Sequence, residues 1–263
     1  MSETATFIKA DKLKKTYRSR DGSEVDAIEA ATFDIRQGEF ISIVGPSGCG
    51  KSTLMNMVAG LLAPSSGSLK FDGFPEGPER PRLGMVFQDA VLLPWRTVLK
   101  NVLLPLEIDK GSRTAGEGYA RELIKLVGLQ GFEGKYPFEL SGGMQQRASI
   151  ARALVNDPAL LLMDEPFAAL DALMRESMAQ ELQRIWSVSR KTVLFITHSI
   201  DEAVFLSDRI IVMTTRPSQI REVITVPLER PRTIEMTSST AYIECVARVK
   251  RLLFAKGEVH ESH

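Results

Sequence analysis

The chain has 263 residues, 44% of them hydrophobic and 25% charged, the proportions of a globular protein able to bury a sizeable core. Its 33 basic and 33 acidic residues cancel, which excludes a global basic field of the kind that holds nucleic acid or anionic membrane. Two cysteines, Cys49 and Cys245, are too few for a disulfide framework and fit a reducing compartment. The stretch from Met1 to Tyr17 carries Glu3, Lys9, Asp11, Lys12, Lys14 and Lys15 with no apolar run, so it does not read as a signal peptide, and no window is apolar enough to span a bilayer.

In chain order, Phe7–Leu13 alternates as a strand does, and Asp21-Gly22-Ser23 turns it toward Val25–Ile28, which predicts an N-terminal antiparallel hairpin. Ala31–Ile35 reads as a further strand, and Gln37-Gly38-Glu39 turns the chain into the apolar run Ile41–Val44. After that run the sequence is Gly45-Pro46-Ser47-Gly48-Cys49-Gly50-Lys51-Ser52-Thr53, followed by Leu54, Met55, Val58 and Leu61 at helical spacing. Leu69–Phe71 and Leu83–Phe87 read as strands, with a proline-broken stretch from Pro75 to Pro81 between them.

From Leu92 to Val155 the character changes to helices over Val98–Leu104, Ala115–Val127 and Ser141–Leu154, long enough to form an inserted helical subdomain. Leu160–Met163 is a continuous apolar run suited to a strand buried on both faces of a parallel sheet. A helix over Ala172–Ser189, a strand over Val193–Thr197, a helix over Ile200–Leu206 and a strand over Arg209–Met213 continue the alternation. Pro227–Arg232 reads as a linker and Tyr242–Phe254 as a closing amphipathic helix. Alternation of this kind predicts an α/β fold with a mostly parallel sheet.

The run from Gly45 to Thr53 has the chemistry of a phosphate cradle. Its glycines let successive backbone N–H groups converge, the helix starting near Lys51 adds its positive end, Lys51 reaches the β- and γ-phosphates and the Ser52 hydroxyl meets Mg²⁺. Leu160–Met163 runs directly into Asp164-Glu165, two carboxylates suited to holding Mg²⁺ and polarising an attacking water. Upstream, Leu140-Ser141-Gly142-Gly143-Met144-Gln145-Gln146-Arg147 opens a helix, where Ser141 and the N–H groups of Gly142 and Gly143 make a second anion site.

That octapeptide, between the two nucleotide motifs and in this order, resembles the signature of the ATP-binding cassette (ABC) transporter ATPases, and the resemblance runs from Phe7 to Arg216. It implies a P-loop NTPase core with a mostly parallel sheet, an N-terminal antiparallel β subdomain and a helical subdomain inserted at about 92–155, within an ATPase domain over 1–230. A C-terminal helical extension over 231–263 would follow. Tyr17 matches the aromatic residue that stacks on adenine, Gln88 the glutamine that senses Mg²⁺ and water, Asp171 the loop crossing the dimer interface, and His198 the histidine that contacts the γ-phosphate.

By the same resemblance two cassettes pair head to tail, so that Ser141, Gly142, Gly143, Gln145 and Asp171 of one chain meet ATP held by the other. Glu165 is then the general base, and Ser52, Gln88 and Asp164 serve Mg²⁺. The implied partners are integral-membrane permease subunits, a second ATP-binding subunit and, indirectly, a solute-binding protein outside the membrane, with no nucleic acid. The chain would sit peripherally on the cytoplasmic membrane face.

Ala90-Val91-Leu92-Leu93-Pro94-Trp95-Arg96 reads either as core between subdomains or as a groove for a short permease helix. Gln-Asp ahead of Leu-Leu-Pro-Trp, with Phe167–Leu173 and Thr215-Arg216-Pro217, resembles the nitrate, sulfonate and taurine importer branch. Competing readings are a soluble ABC-type ATPase of DNA repair or translation, against which stand the absent heptad run and the single cassette, and a non-hydrolysing regulatory subunit, against which stand Glu165 and His198. The stripe Met174, Met178, Leu182, Ile185, Trp186 reads as core, His260 and His263 make a poor metal site, and Cys49, beside Lys51 and a helix start, is expected to be reactive and protected by MgATP.

Overall fold

The computed structural model describes residues 5–18, 22–75, 80–109 and 113–254. In chain order the strands are β1 (Thr6–Arg18), β2 (Glu24–Arg36), β3 (Phe40–Val44), β4 (Ser66–Phe71), β5 (Leu83–Val86), β6 (Leu160–Asp164), β7 (Thr192–Ile196), β8 (Arg209–Met213) and β9 (Ile220–Thr225). The helices are α1 (Lys51–Val58), α2 (Val98–Ile108), α3 (Arg113–Leu126), α4 (Gly142–Leu154), α5 (Ala172–Ser189), α6 (Ile200–Leu206) and α7 (Thr240–Phe254).

One sheet has the order β5-β6-β7-β3-β8-β9 and is parallel except for β9, which runs antiparallel to β8. A second, antiparallel sheet has the order β2-β1-β4. All five residues of β3 and of β7 are buried, as strands covered on both faces require. Alternate side chains therefore serve two cores. Ile41, Ile43, Leu162, Leu194, Ile196 and Ile211 pack with α1 and the antiparallel sheet, whereas Phe40, Leu161, Met163, Phe195, Ile210 and Val212 pack with the helices from α2 onward.

The structure departs from the sequence expectation at several places, and Met174 of the expected core stripe is one of them, 37% exposed. Val25–Ile28 and Ala31–Ile35 form one strand, β2, because the irregularity between them is absorbed by a left-handed residue, Ala30 at φ 54°, without breaking the pairing to β1. The helix after the cradle ends at Val58, so Leu61 lies beyond it and is exposed. An edge strand, β9, was not anticipated: only Ile224 of its six residues is fully buried, so its sequence lacks a clean alternation. Part of the proline-broken stretch, residues 76–79, and the His260 and His263 pair lie outside the described residues. No described helix is long and apolar enough to cross a membrane.

Candidate nucleotide site

Strands β3, β6 and β7 are parallel neighbours, so their C-terminal ends open on one edge of the sheet, where ligands of open α/β sheets collect. From β3 the chain turns through Gly45–Gly50 into α1. Gly45 admits no side chain: a Cβ there would lie 2.7 Å from Cys49 Sγ and 3.1 Å from Met213 Cβ. Gly50 caps α1 at φ 110°, a conformation that a residue with a Cβ adopts only under strain. The loop is thus shaped by its own close packing. Lys51 is buried and its Nζ donates to the carbonyls of Gly45 at 3.0 Å and Pro46 at 3.3 Å, which holds the ammonium across the mouth of the loop. Pro46, Ser47, Gly48 and Thr53 complete the turn and the first helical residues around it.

The Ser52 hydroxyl donates to Asp164 Oδ1 at 3.3 Å, joining α1 to the end of β6. Burial pushes the Asp164 carboxyl above its ordinary range, with the Ser52 bond and the Lys51 charge opposing. A buried carboxylate beside a hydroxyl is a hard oxygen donor pair that a cation would relieve. Glu165 follows at φ 46°, left-handed backbone that a residue of this size rarely adopts, and its N–H donates to Ile196 O of β7 at 2.9 Å. This turn swings its carboxylate toward β7, where Oε2 lies 3.3 Å from His198 Nδ1. In the same first turn of α1, Thr53 Oγ1 is 3.4 Å from the Tyr17 hydroxyl, whose ring is exposed.

The Ser141 loop belongs to another set of helices, since α4 packs in the core that holds α2 and α3. Ser141 caps α4, its Oγ accepting from Met144 N at 3.3 Å, and Ser141 and Gly142 are exposed. A Cβ on Gly142 would meet nothing closer than Leu170 Cδ2 at 3.8 Å. On Gly143 it would lie 2.6 Å from Met174 Cε. Gln145 turns inward instead, its Nε2 donating to Pro137 O and Leu140 O at 3.0 and 3.3 Å. Asp171 caps α5, with Oδ1 accepting from Met174 N at 2.9 Å. Among the described residues no hydrogen bond joins Ser141, Gly142 or Gly143 to the cradle.

Gln88 is exposed just beyond β5. Its neighbours are held by one helix, a feature the sequence reading missed: Gln146 Nε2 donates to Phe87 O at 3.2 Å, and the Arg152 guanidinium donates to Ala90 O at 2.8 Å and Val91 O at 2.7 Å. An arginine set among Ile150, Ala151, Ala153 and Leu154 was the available signal, because a charge on an apolar helix face needs buried acceptors. Beyond this clamp, the buried Asn101 exchanges hydrogen bonds with Leu93 and donates to Arg96 O and Thr97 O, and Trp95 is left 71% exposed. The segment is therefore a displayed apolar shelf and not core. Cys49 differs from expectation too: it is 1% exposed, and burial pushes its thiol up against the weaker pull of Lys51.

Comparison with known proteins agrees with this geometry. The ABC transporter family profile matches residues 28–168. An uncharacterised ABC transporter ATP-binding protein of Methanocaldococcus jannaschii is 46% identical, covering 97% of this chain and 93% of that protein. The taurine import ATP-binding protein of Rhizobium johnstonii is 47% identical over 81% and 82% of the two chains, and the bicarbonate transport ATP-binding protein of Synechocystis 43% over 88% and 82%. Among solved structures, a dimeric ATP-binding cassette in a post-hydrolysis state with ADP and Pi superposes with a TM-score of 0.71 at 33% identity, covering 84% of this chain and all of that one. With an α/β sheet whose strand ends carry the cradle, the carboxylate pair and the histidine, the chain belongs to the ABC transporter family as one of its ATP-hydrolysing cassettes.

Proposed function

We propose that this chain is the ATP-hydrolysing subunit of a membrane importer for a small anion, working as a pair of cassettes that closes on ATP and opens after hydrolysis. The observation that carries the mechanism is the contact between Glu165 and His198 at 3.3 Å, beside the Ser52–Asp164 pair. Glu165 takes the proton of the attacking water. His198 orients that carboxylate and meets the γ-phosphate. Lys51 and the backbone of Gly45 to Thr53 hold the phosphates, and Tyr17 stacks on the adenine. Ser52, Asp164 and Gln88 would hold Mg²⁺, an oxygen donor set suited to an ion that keeps waters and phosphate oxygens as its remaining ligands. Bound there, Mg²⁺ supplies charge neutralisation at the β- and γ-phosphate oxygens.

The exposed Ser141 and Gly142 and the buried Gly143 beside them, with Gln145 setting their loop and Asp171 at the facing helix start, complete the site of a second chain. ATP bridges the two, and hydrolysis removes the bridging charge. The catalytic domain spans 1–230, with the helical subdomain at about 92–155 and the C-terminal helical extension over 231–263. Trp95 and Val91 offer the apolar shelf to a permease helix, so that the chain lies peripherally on the cytoplasmic face of the membrane and a solute-binding protein acts on the far side. The anion class rests on the relatives named for taurine, a sulfonate, and for bicarbonate.

Capture of the full chain from detergent-solubilised native membranes, followed by mass spectrometry, tests the assignment. A multi-span membrane protein that alters the ATPase rate is the expected companion. Recovery only from the soluble fraction with ribosomal or DNA-repair proteins would overturn the transport reading.

A further inference from the structure

We propose that the segment from Arg230 to Phe254 is a positioning element for His198, acting through α6. The inference rests on the reading of His198 as the γ-phosphate contact. A helix of seven residues has too few internal hydrogen bonds to hold itself, so α6 depends on the core it packs into and on what grips its ends. Both ends are gripped by residues beyond 229. At the C-terminal end, Arg232 Nη1 donates to the carbonyls of Val204, Phe205 and Ser207 at 2.8, 3.0 and 2.8 Å, and Arg230 Nη2 donates to Leu206 O. The carbonyls of residues 204 to 207, which the helix end leaves unpaired, thus all accept from two guanidinium groups.

Arg232 is itself anchored. It is 3% exposed, and its backbone is joined to Gln183 of α5 by reciprocal bonds of 2.7 and 2.9 Å. Burial lowers its pKa to about 10, which leaves it charged at neutral pH and able to donate. Arg230 is fixed by Asp208 at 2.8 Å and stacks its guanidinium 4.2 Å from the Trp186 ring centre. In the first turn of α6, the buried Tyr242 donates from its hydroxyl to Asp201 O at 3.0 Å.

The N-terminal end of α6 carries the grip to the site. Ser199 caps the helix through Glu202 N at 3.3 Å, and the Glu202 carboxylate accepts from Thr197 Oγ1 at 2.5 Å. Thr197 and Ser199 are the two chain neighbours of His198. A shift of α6 therefore moves the residues on either side of the imidazole. A cavity of about 290 Å³ lies between α5, α6 and α7, lined by Arg175, Glu202, Phe205, Ile234 and Tyr242, so α6 is less closely packed on that side than on the face that buries Ala203, Val204 and Leu206.

The test uses the full chain as wild type, Tyr242→Phe, Arg232→Gln and His198→Ala, with steady-state ATP hydrolysis and imidazole NMR as readouts. His198 is one of three histidines, and His198→Ala assigns its resonance. The expected result is a kcat about tenfold lower in Arg232→Gln and about threefold lower in Tyr242→Phe, the scale of a small misplacement of a reacting group, with KM for ATP unchanged and the His198 resonance shifted in both. If Arg232→Gln does not fold, Tyr242→Phe alone decides. An unmoved His198 resonance overturns the proposal, whether kcat falls or not. A wild-type kcat in His198→Ala would instead remove the catalytic reading of His198, while a shifted resonance in the other two variants would still support the positioning.

Discussion

The strand-end cluster and the Ser141 loop are built from the same kinds of parts, yet they are in opposite states. Around β3, β6 and β7 the side chains already engage one another: Lys51 with the loop carbonyls, Ser52 with Asp164, Glu165 with His198. The Ser141 and Gln145 side chains bond only within their own segment. The serine caps its own helix, Gln145 bonds its own loop, and a Cβ on the exposed Gly142 would meet nothing closer than Leu170 at 3.8 Å. On the proposed function, this loop is one half of an anion site. The contrast, on that same reading, separates a cradle pre-organised in cis from a signature half that a second molecule completes.

The largest effect should come from breaking the engaged half. Glu165→Gln keeps the shape and one oxygen beside His198 but removes the base, so kcat should fall by about 10²- to 10⁴-fold while ATP affinity holds, measured by phosphate release and nucleotide titration. Stalled in this way, the variant should accumulate as a dimer with ATP and not with ADP in light scattering. On the exposed shelf, Trp95→Ala should leave the basal rate of the isolated chain unchanged and lower the permease-stimulated rate several-fold, as loss of a central aromatic anchor does.

A smaller effect concerns the electrostatic strain stored beside the site. Glu202 is 7% exposed, and burial raises its carboxyl pKa despite the Thr197 bond and the Arg175 charge, with His198 and Glu165 opposing each other more weakly. Because the folded value lies above the unfolded one, the stability tied to the protonated form is complete below the ordinary glutamate range and is lost as pH rises through the folded pKa. Glu202→Gln has no charge to bury. Its Tm should exceed that of the wild type by a few degrees at pH 8 and match it near pH 4, on the order of 1 kcal/mol. The smallest effect is at Cys49: alkylation at neutral pH should be slow with or without MgATP, as mass spectrometry of the labelled peptide would show, since the thiol is both buried and held protonated.

Much of the strand-end cluster was legible because each motif declares its own backbone. The all-apolar Leu160–Met163 run requires a doubly covered strand, and its C-terminal end then has to deliver Asp164 and Glu165 to the sheet edge. The helices α5 and α6 and the strand β8 begin and end where their periodicity and caps predict. What stayed hidden depends on contacts distant in sequence. Arg152 finds its acceptors about sixty residues upstream, so its apolar helix neighbours mark it as buried without naming its partners, and Arg232 reaches back to α6 with nothing local to distinguish it from a surface arginine. The left-handed turn at Glu165 was equally invisible, because it is imposed by the bond to Ile196 and not by residue type. Cys49 misled for a related reason: proximity to Lys51 is visible in the sequence, whereas its burial is not.

The central claim, that the site is completed in trans, is tested most directly by mixing two inactive chains. Lys51→Ala removes the cradle's ammonium, and Gly142→Asp places a repelling carboxylate on the exposed face, at a first-turn helix position with room for a side chain and a preference for negative charge. Each alone should hydrolyse ATP at background rate. Mixed in equal amounts, half the dimers pair an intact cradle with an intact signature at one site, so roughly a quarter of wild-type activity should return. A mixture as inactive as its components would contradict the account and return the signature to the cradle of its own chain.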